Sequence, residues 1–507
     1  MSKKEFIESF YFSKNEKNII NNYIYNGYKK NIDIKKLLNY KSIIIDGLLK
    51  DFWDKNNLNQ KNICLVAVGG YGRSELYPFS DIDILILLEN YSNDLALKNI
   101  ENFIADIWQL NHSVGHSVRT IKECVSKIDE DSVIYTNLLD SRLIIGDEIL
   151  YQKLLKKIDN TKVWTKKEFL IAKKIEQKNR YTKYSNTGYL LEPNIKEGPG
   201  GFRDLQTLVW ILKRNFKIKS LSDLYNLNYI SKKEYLSLLR SERFLSKVRF
   251  LLHYIHGKSE ERLYFTSQKK LAELFGYDCQ TNEGVEKFMQ VFFKNITNIK
   301  QLNEILLKHI EHKESNFKID YDKKIGEDFY IKDNNVSVES KEIFVRNPKR
   351  IFEIFFLKDE NDNLYDISAD TIRYIRECLN LIDKNFRNNP ENKKLFIGAF
   401  YQKKGVAKSL RKMNDYGVLA AYLKSFSRIV GMMQFDLFHI YTVDEHTLSV
   451  LSNTRFMSTD DCKNKYSFVY EIFKKLPAPE ILYLGALFHD IGKGSKKDHS
   501  KLGAVES

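Results

Sequence analysis

Residues 69–88, "GGYGRSELYPFSDIDILILL", end one apolar run with two glycines and open the next with Asp81 and Asp83, two positions apart. On a strand, side chains alternate between faces, so carboxylates at this spacing project to one side while Ile82 and Ile84 point into a core. Two carboxylates on one face repel each other unless a cation sits between them. Magnesium suits such a site, because one or two protein carboxylates plus water and substrate phosphates complete its shell. The upstream turn supplies the complement. Gly69, Gly70 and Gly72 allow close approach to an anion and offer backbone N–H groups, while Arg73 and Ser74 add a cation and a hydroxyl. The combination fits two-metal phosphoryl transfer, in which one ion activates an attacking hydroxyl and the other neutralises departing pyrophosphate. D-x-D alone usually marks a capped turn, but G-G-x-G-R-S followed by D-x-D between two strand-like runs points to a nucleotidyltransferase site. It is neither a P-loop nor a Rossmann fingerprint, since the glycines lead into a second strand and not into a helix. Sites of this kind commonly use a third carboxylate. The neighbouring segment 113–119 carries Ser113, His116 and Ser117 but no acid, which leaves Glu192 and Asp204 as candidates.

A second constellation stands near the C-terminal end. "YTVDEHTLSVL" (441–451) holds His446, and "LGALFHDIGKG" (484–494) holds His489 and Asp490. Imidazoles with a carboxylate suit a divalent metal such as manganese or magnesium, and this order of His and His-Asp is the ligand set of an HD-type metal phosphohydrolase. His499 is a further candidate. The last Asp of that set and several closing helices do not occur before Ser507, so the expectation is an incomplete hydrolytic half.

The elements that would position these residues follow from periodicity. "ICLVAV" (63–68) and "IDILILL" (82–88) read as buried strands, 94–110 as a helix and 113–120 as a third strand. Residues 5–58 and most of 121–315 read as helical, interrupted by the Pro- and Gly-rich "EPNIKEGPGGFRDL" (192–205), with a helix restarting near Phe202. Residues 329–340 read as a small hairpin turning at Asp333-Asn334-Asn335, and 436–507 as helical. The expected domains are an N-terminal helical segment (1–60), a nucleotidyltransferase core (61–160) and a helical transferase-associated domain (161–315). A connecting region with the hairpin (316–435) and the first part of an HD domain (436–507) follow.

Composition excludes several classes. A 507-residue chain with 43% hydrophobic residues and only 7 prolines can bury large cores and is not dominated by disorder. The net charge of +15 is spread along the sequence, with short clusters such as Lys496-Lys497 and no dense basic stripe, so nucleic acid is not an expected partner. Five scattered cysteines match neither a disulfide framework nor a C-x-x-C metal site. No signal-peptide core and no run of about 18 apolar residues occurs, so the expectation is a cytoplasmic protein with no membrane partner.

The five stretches "GGYGRSELYPFSDIDILIL", "VGHSVRT", "EPNIKEGPGGFRDLQTLVW", "MQFDLFHIYTVDEHT" and "LFHDIGKGSKKDHSKLGA" occur in this order. Together they resemble the bacterial bifunctional PII uridylyltransferase/uridylyl-removing enzymes over about residues 60–507. The resemblance implies an α+β fold: a small mixed-sheet, polymerase-beta-like core, a mainly helical region and an incomplete all-α HD domain. It implies transfer of UMP from UTP to a tyrosine of the PII signalling protein, with hydrolysis of PII-UMP as the family's second activity. Carried over by position, Asp81 and Asp83 are magnesium ligands, and Gly69, Gly70, Arg73 and Ser74 line the nucleotide phosphates. His446, His489 and Asp490 ligate the HD metal, and 199–204 belongs to the transferase module. Relatives carry glutamine-sensing ACT domains after the HD domain; none is present up to Ser507, which puts glutamine sensing and uridylyl removal in doubt. Other readings are a PII-binding remnant without turnover, a (p)ppGpp synthetase/hydrolase, whose two halves come in the opposite order, and an adenylyltransferase, which would carry a second transferase module.

Overall fold

A computed structural model describes residues 16–91, 94–109, 112–160, 163–218, 221–227, 229–314, 323–332, 335–358, 365–402, 404–435 and 440–494. The chain divides into two compact units: Met1–Asn179 with Gln206–Asn226 and Leu239–Arg262, and Arg180–Leu205 with Leu227–Leu238 and Leu263–Ser507. The turn residues Asp333 and Asn334, Lys496-Lys497 and His499 lie outside the described residues.

In the first unit a four-stranded mixed sheet runs in the order β3-β2-β1-β4, with β1 at Ile63–Ala67, β2 at Ile82–Leu88, β3 at Val114–Thr120 and β4 at Arg142–Gly146. β1 pairs antiparallel with β2 and β4, while β2 and β3 are parallel. That parallel pair needs a crossover, and the helix Asp94–Trp108 provides it. All five residues of β1 are buried, and in β2 only Asp83 departs from full burial. Strands covered on both faces read as continuous apolar runs, which is why these two were visible in the sequence.

β4 was not expected. "RLIIG" is a short run between two helices, indistinguishable by periodicity from a buried helix segment. Its place is set by pairing with β1, and it ends at Gly146, whose φ of +105° no β-branched residue tolerates. The helical N-terminal region consists of Glu16–Lys29 and Ile34–Lys55, separated by a break at Asn31 (φ +58°) and restarted by Asp33, whose side chain caps Lys35 N–H.

In the second unit the expected hairpin is the centre of a larger sheet: β5 Lys323–Ile325, β6 Phe329–Lys332, β7 Asn335–Ser337 and β8 Asp366–Ile367, in sequential order. Its core continues through a cluster of Phe352, Phe386, Phe396 and Tyr422 rings into the helices Val443–Phe456 and Pro479–Phe488. The five cysteines are all free and buried, and no described helix is long and apolar enough to cross a membrane.

Candidate functional site

The glycine turn leaves β1 as a single helical turn, Gly69–Gly72, before the loop to β2. Gly69 sits at φ +58°, a left-handed conformation that glycine adopts without strain. A Cβ there would stand 3.6 Å from Asp83 Oδ2 and 3.4 Å from Asn137 Oδ1. Gly72 has a packing reason: a methyl at this position would run into the carbonyl oxygens of Asp140 and Ala67. Tyr71, between them, is fully buried; its hydroxyl donates to Asp46 Oδ1 at 2.5 Å, and Arg142 holds the same carboxylate at 2.8 and 3.0 Å. Ser74 occupies φ +59° and closes the turn through its N–H to the Tyr71 carbonyl.

Arg73 was expected to face phosphate. In the structure its Nε donates to Glu75 at 2.9 Å and its Nη1 to Asp140 at 2.6 Å. Burial opposes its charge, but Glu75 and Asp140 outweigh that and raise its pKa above the ordinary arginine value. Asp140 is itself wholly buried in its carboxylate and also accepts from Trp210 Nε1 and Lys213 Nζ. Two of the three guanidinium nitrogens are thereby tied to protein carboxylates, and the third, Nη2, lies 3.8 Å from where a Cβ on Gly70 would stand.

Asp81 is exposed one residue ahead of β2, and Asp83 is half-buried within it. The register pairs Asp83 with Gly115 across the parallel ladder. A side chain on Gly115 would collide with Asp83 Oδ1, so Gly115 keeps space free beside this carboxylate, whereas a Cβ on Gly69 would only touch it. Asp83 opens onto a cavity of about 240 Å³ lined also by Gly115, His116, Ser117, Arg119 and Asn137. Asp83 is the one carboxylate among the residues lining it. Gly115 and Asn137 were missed by the sequence reading: a glycine in a strand signals close approach, but what approaches is set by inter-strand register.

The loop before Asp81 is held from beneath. Lys41, on the helix Ile34–Lys55, is 1% exposed and donates to the carbonyls of Tyr77 (2.8 Å) and Pro78 (2.5 Å). Burial, reinforced by Lys17, pulls its pKa down to about 7.

Neither sequence candidate for a third carboxylate is spare. Asp204, fully buried, accepts from Arg180 Nη2 (2.5 Å), Tyr181 Oη (2.6 Å) and Gly200 N–H (2.6 Å). Glu192 accepts from Phe265 N–H at the start of the helix Phe265–Leu274. The Pro-Gly-Gly loop is thus a structural knot: Gly200 (φ +79°) packs on the Ile296 carbonyl, and Asn303 caps the Asp204 carbonyl. The chain just ahead of it, at Tyr189 and Leu191, bonds residues 440 and 442, which lead into the helix carrying His446.

That helix and the end of Pro479–Phe488 bring His446, His489 and Asp490 together, with one ligand atom from each within 4.8 Å of the others. His489 Nδ1 is engaged by the Ala486 carbonyl at 2.8 Å, which directs Nε2 toward Asp490 Oδ2 at 3.2 Å. His446 Nε2 is 3.8 Å from the same oxygen and Lys493 Nζ is 2.9 Å away. The hydrogen bond to Asp490 raises the His489 pKa, while His489 and Lys493 overcome burial and hold Asp490 below the usual carboxylate range. Two imidazoles and a carboxylate on a common centre, with one imidazole oriented by a carbonyl on its far nitrogen, are a donor set suited to a first-row divalent ion.

Family models and curated relatives match most of this chain. Residues 47–145 match the family model of a nucleotidyltransferase domain. Residues 168–307 match that of the GlnD PII-uridylyltransferase, and residues 329–422 that of the uridylyltransferase GlnD third domain. A bifunctional uridylyltransferase/uridylyl-removing enzyme of Pseudomonas savastanoi pv. phaseolicola is 39% identical over 482 residues, 95% of this chain and 54% of that protein. The enzyme of the same description from Azotobacter vinelandii is 39% identical over 481 residues, 94% of this chain and 53% of its own length. The chain belongs to this uridylyltransferase family.

As a member of the GlnD family it carries a nucleotidyltransferase domain whose match includes the glycine turn, Asp81, Asp83, Gly115 and Asn137. The second match takes in the Pro-Gly-Gly knot at 199–204. The histidine cluster lies beyond residue 422, where the third-domain match ends. The chain spans about half the length of the curated relatives it matches.

Proposed function

We propose that this chain transfers UMP from UTP to a tyrosine hydroxyl of a PII signalling protein. The tyrosine hydroxyl gives up its proton to solvent as its oxygen bonds to the α-phosphorus, the bond from that phosphorus to the α–β bridging oxygen breaks, and pyrophosphate leaves with that oxygen and the electron pair. The observation that carries this reading is the half-buried Asp83, given room by Gly115 and opening onto the 240 Å³ cavity. Asp81 and Asp83 would hold magnesium, which supplies charge neutralisation on the phosphates when bound. Gly69, Gly70, Gly72 and Ser74 shape the turn that meets the nucleotide. Arg73 contributes in two ways: it locks the turn to Asp140, and it offers Nη2 on the Gly70 side.

The cluster of His446, His489 and Asp490 supports a second activity, hydrolysis of PII-UMP, with manganese or magnesium as the ion that would supply the attacking hydroxide. The transferase core is assigned to 61–160 and the start of the HD domain to 436–507, in a protein acting in the cytoplasm. The test is transfer of label from UTP to PII in the presence of ATP and magnesium. Asp81→Asn and Asp83→Asn should each abolish it, whereas label transfer indifferent to both changes would sink the transferase reading.

A further inference from the structure

The helix Ala369–Glu377, which carries none of the residues of either site, places Arg373 and Arg376 three residues apart, hence on one face. Both line a cavity of about 140 Å³ in the second unit, together with Lys233, Glu234, Ser237 and Glu377. Most of the charge here is accounted for. Arg373 donates through Nε to Glu234 Oε1 (3.0 Å) and through Nη2 to the Tyr229 carbonyl (3.1 Å), with Asp370 Oδ1 at 3.5 Å from Nη1. Glu234 also caps Ser231 N–H at 2.8 Å, and Glu377 lies 3.7 Å from Lys341.

Arg376 is different. Among the described residues its side chain has no hydrogen-bond or ion-pair partner, although it is half-buried. Burial works against its charge and lowers its pKa, with Glu234 offsetting this in part and Arg373 adding to it. Lys233 likewise has no ion pair among the described residues. Once the Arg373–Glu234 and Lys341–Glu377 pairs are set aside, the uncompensated groups on the cavity wall are two cations. A guanidinium withdrawn from water is costly without an acceptor, and its planar fork fits a carboxylate or phosphate in bidentate fashion.

We propose that this cavity is a binding site for a small oxyanion-bearing metabolite, whose phosphate or carboxylate group is held by Arg376, with Lys233 and the Ser237 hydroxyl completing its shell. Such a ligand would tie the start of the helix Lys232–His256 to the helix Ala369–Glu377. The site shares no residue with the transferase centre.

The test is calorimetric titration of the purified chain with orthophosphate, pyrophosphate and succinate, which separate a phosphate source from a carboxylate source. At least one anion should bind, with affinity retained in Asp83→Asn and weakened at least tenfold in Arg376→Gln. Arg376→Lys, which keeps the charge but loses the fork, should fall between. Without added anion, Arg376→Gln should unfold at the same temperature as the parent or higher, because the charge has no partner to lose; a lower temperature would mark a structural residue and overturn the proposal. Failure of all three anions to bind, affinity unchanged by Arg376→Gln, or loss only in Asp83→Asn would equally overturn it. Should Arg376→Gln not fold, Lys233→Met, on an exposed position, must weaken binding severalfold for the site to stand.

Discussion

The carboxylate site and the histidine site are assembled in opposite ways. Asp83 is set among residues from four separate stretches: Gly115 leaves room at its Oδ1, Gly69 and Asn137 stand beside it, and Lys41 braces the loop that leads to Asp81. The histidine cluster is made by one pair of packed helices, with Lys493 three residues from Asp490 supplying a local counter-charge. Its surroundings are also more open. Phe468 is 76% and Ile481 67% exposed on the neighbouring helices, whereas every residue of β1 is buried. A site built by long-range register can be lost through a change far from any ligand, and a site built by two adjacent helix ends depends chiefly on the ligands themselves.

The sharpest way to break the first site is through Asp140, which no substrate need touch. Asp140→Ala strips one buried carboxylate from Arg73, Lys213 and Trp210 together. Removing one partner of a buried ion network costs about 3–5 kcal/mol, so the urea midpoint should fall markedly and transfer with it. Gly115→Ala should be subtler in structure but severe in function. The added methyl displaces the Asp83 carboxylate, and a misplacement of that order costs about 100-fold in rate. Transfer kinetics alongside an unaltered circular dichroism spectrum would check this.

His446→Ala should behave in the contrasting manner. The ring is 38% exposed in its side chain, so thermal unfolding without metal should barely move and UMP transfer should persist. The stabilisation that manganese gives the parent, about 2.7 kcal/mol at a hundredfold excess over its dissociation constant, should vanish. A graded effect concerns Lys41. Its pKa in the folded chain, about 7, lies below the ordinary 10.5, so the unfolded chain binds more protons between those values. Stability should therefore rise with pH across that window, by at most about 1.4 kcal/mol per pH unit. Lys41→Met should remove this slope in unfolding midpoints taken from pH 7 to 10, and an unchanged slope would show that Lys41 is not its source.

Much of this was legible from residue types. The run "IDILILL" is continuous because both faces of β2 are covered, and the pair of aspartates at its mouth is the sort of feature that burial alone does not explain. "HDIGKG" pointed to its own cluster because two of the three clustered residues are adjacent in the chain and the third lies on a helix packed against them. The reading of Arg73 was less complete. An arginine after a glycine turn reads as a phosphate ligand, yet Asp140, sixty-seven residues on, takes one of its nitrogens. Asp204 and Glu192 illustrate the same gap, since a carboxylate in sequence carries no sign of whether backbone N–H groups already claim it.

What the amino-acid sequence determined by itself was local: strand or helix from hydrophobic period, the turn from its glycines, the chemistry from carboxylates and imidazoles at short spacing. What only the tertiary structure decided was which distant groups meet. β4, the clearance at Gly115, the burial of Lys41 beneath the Asp81 loop and the unpaired Arg376 all depend on pairing register and on packing between segments far apart in the chain. Those contacts are selected by close packing and by satisfaction of buried polar groups over the whole core, and neither quantity has a value at any single position of the chain.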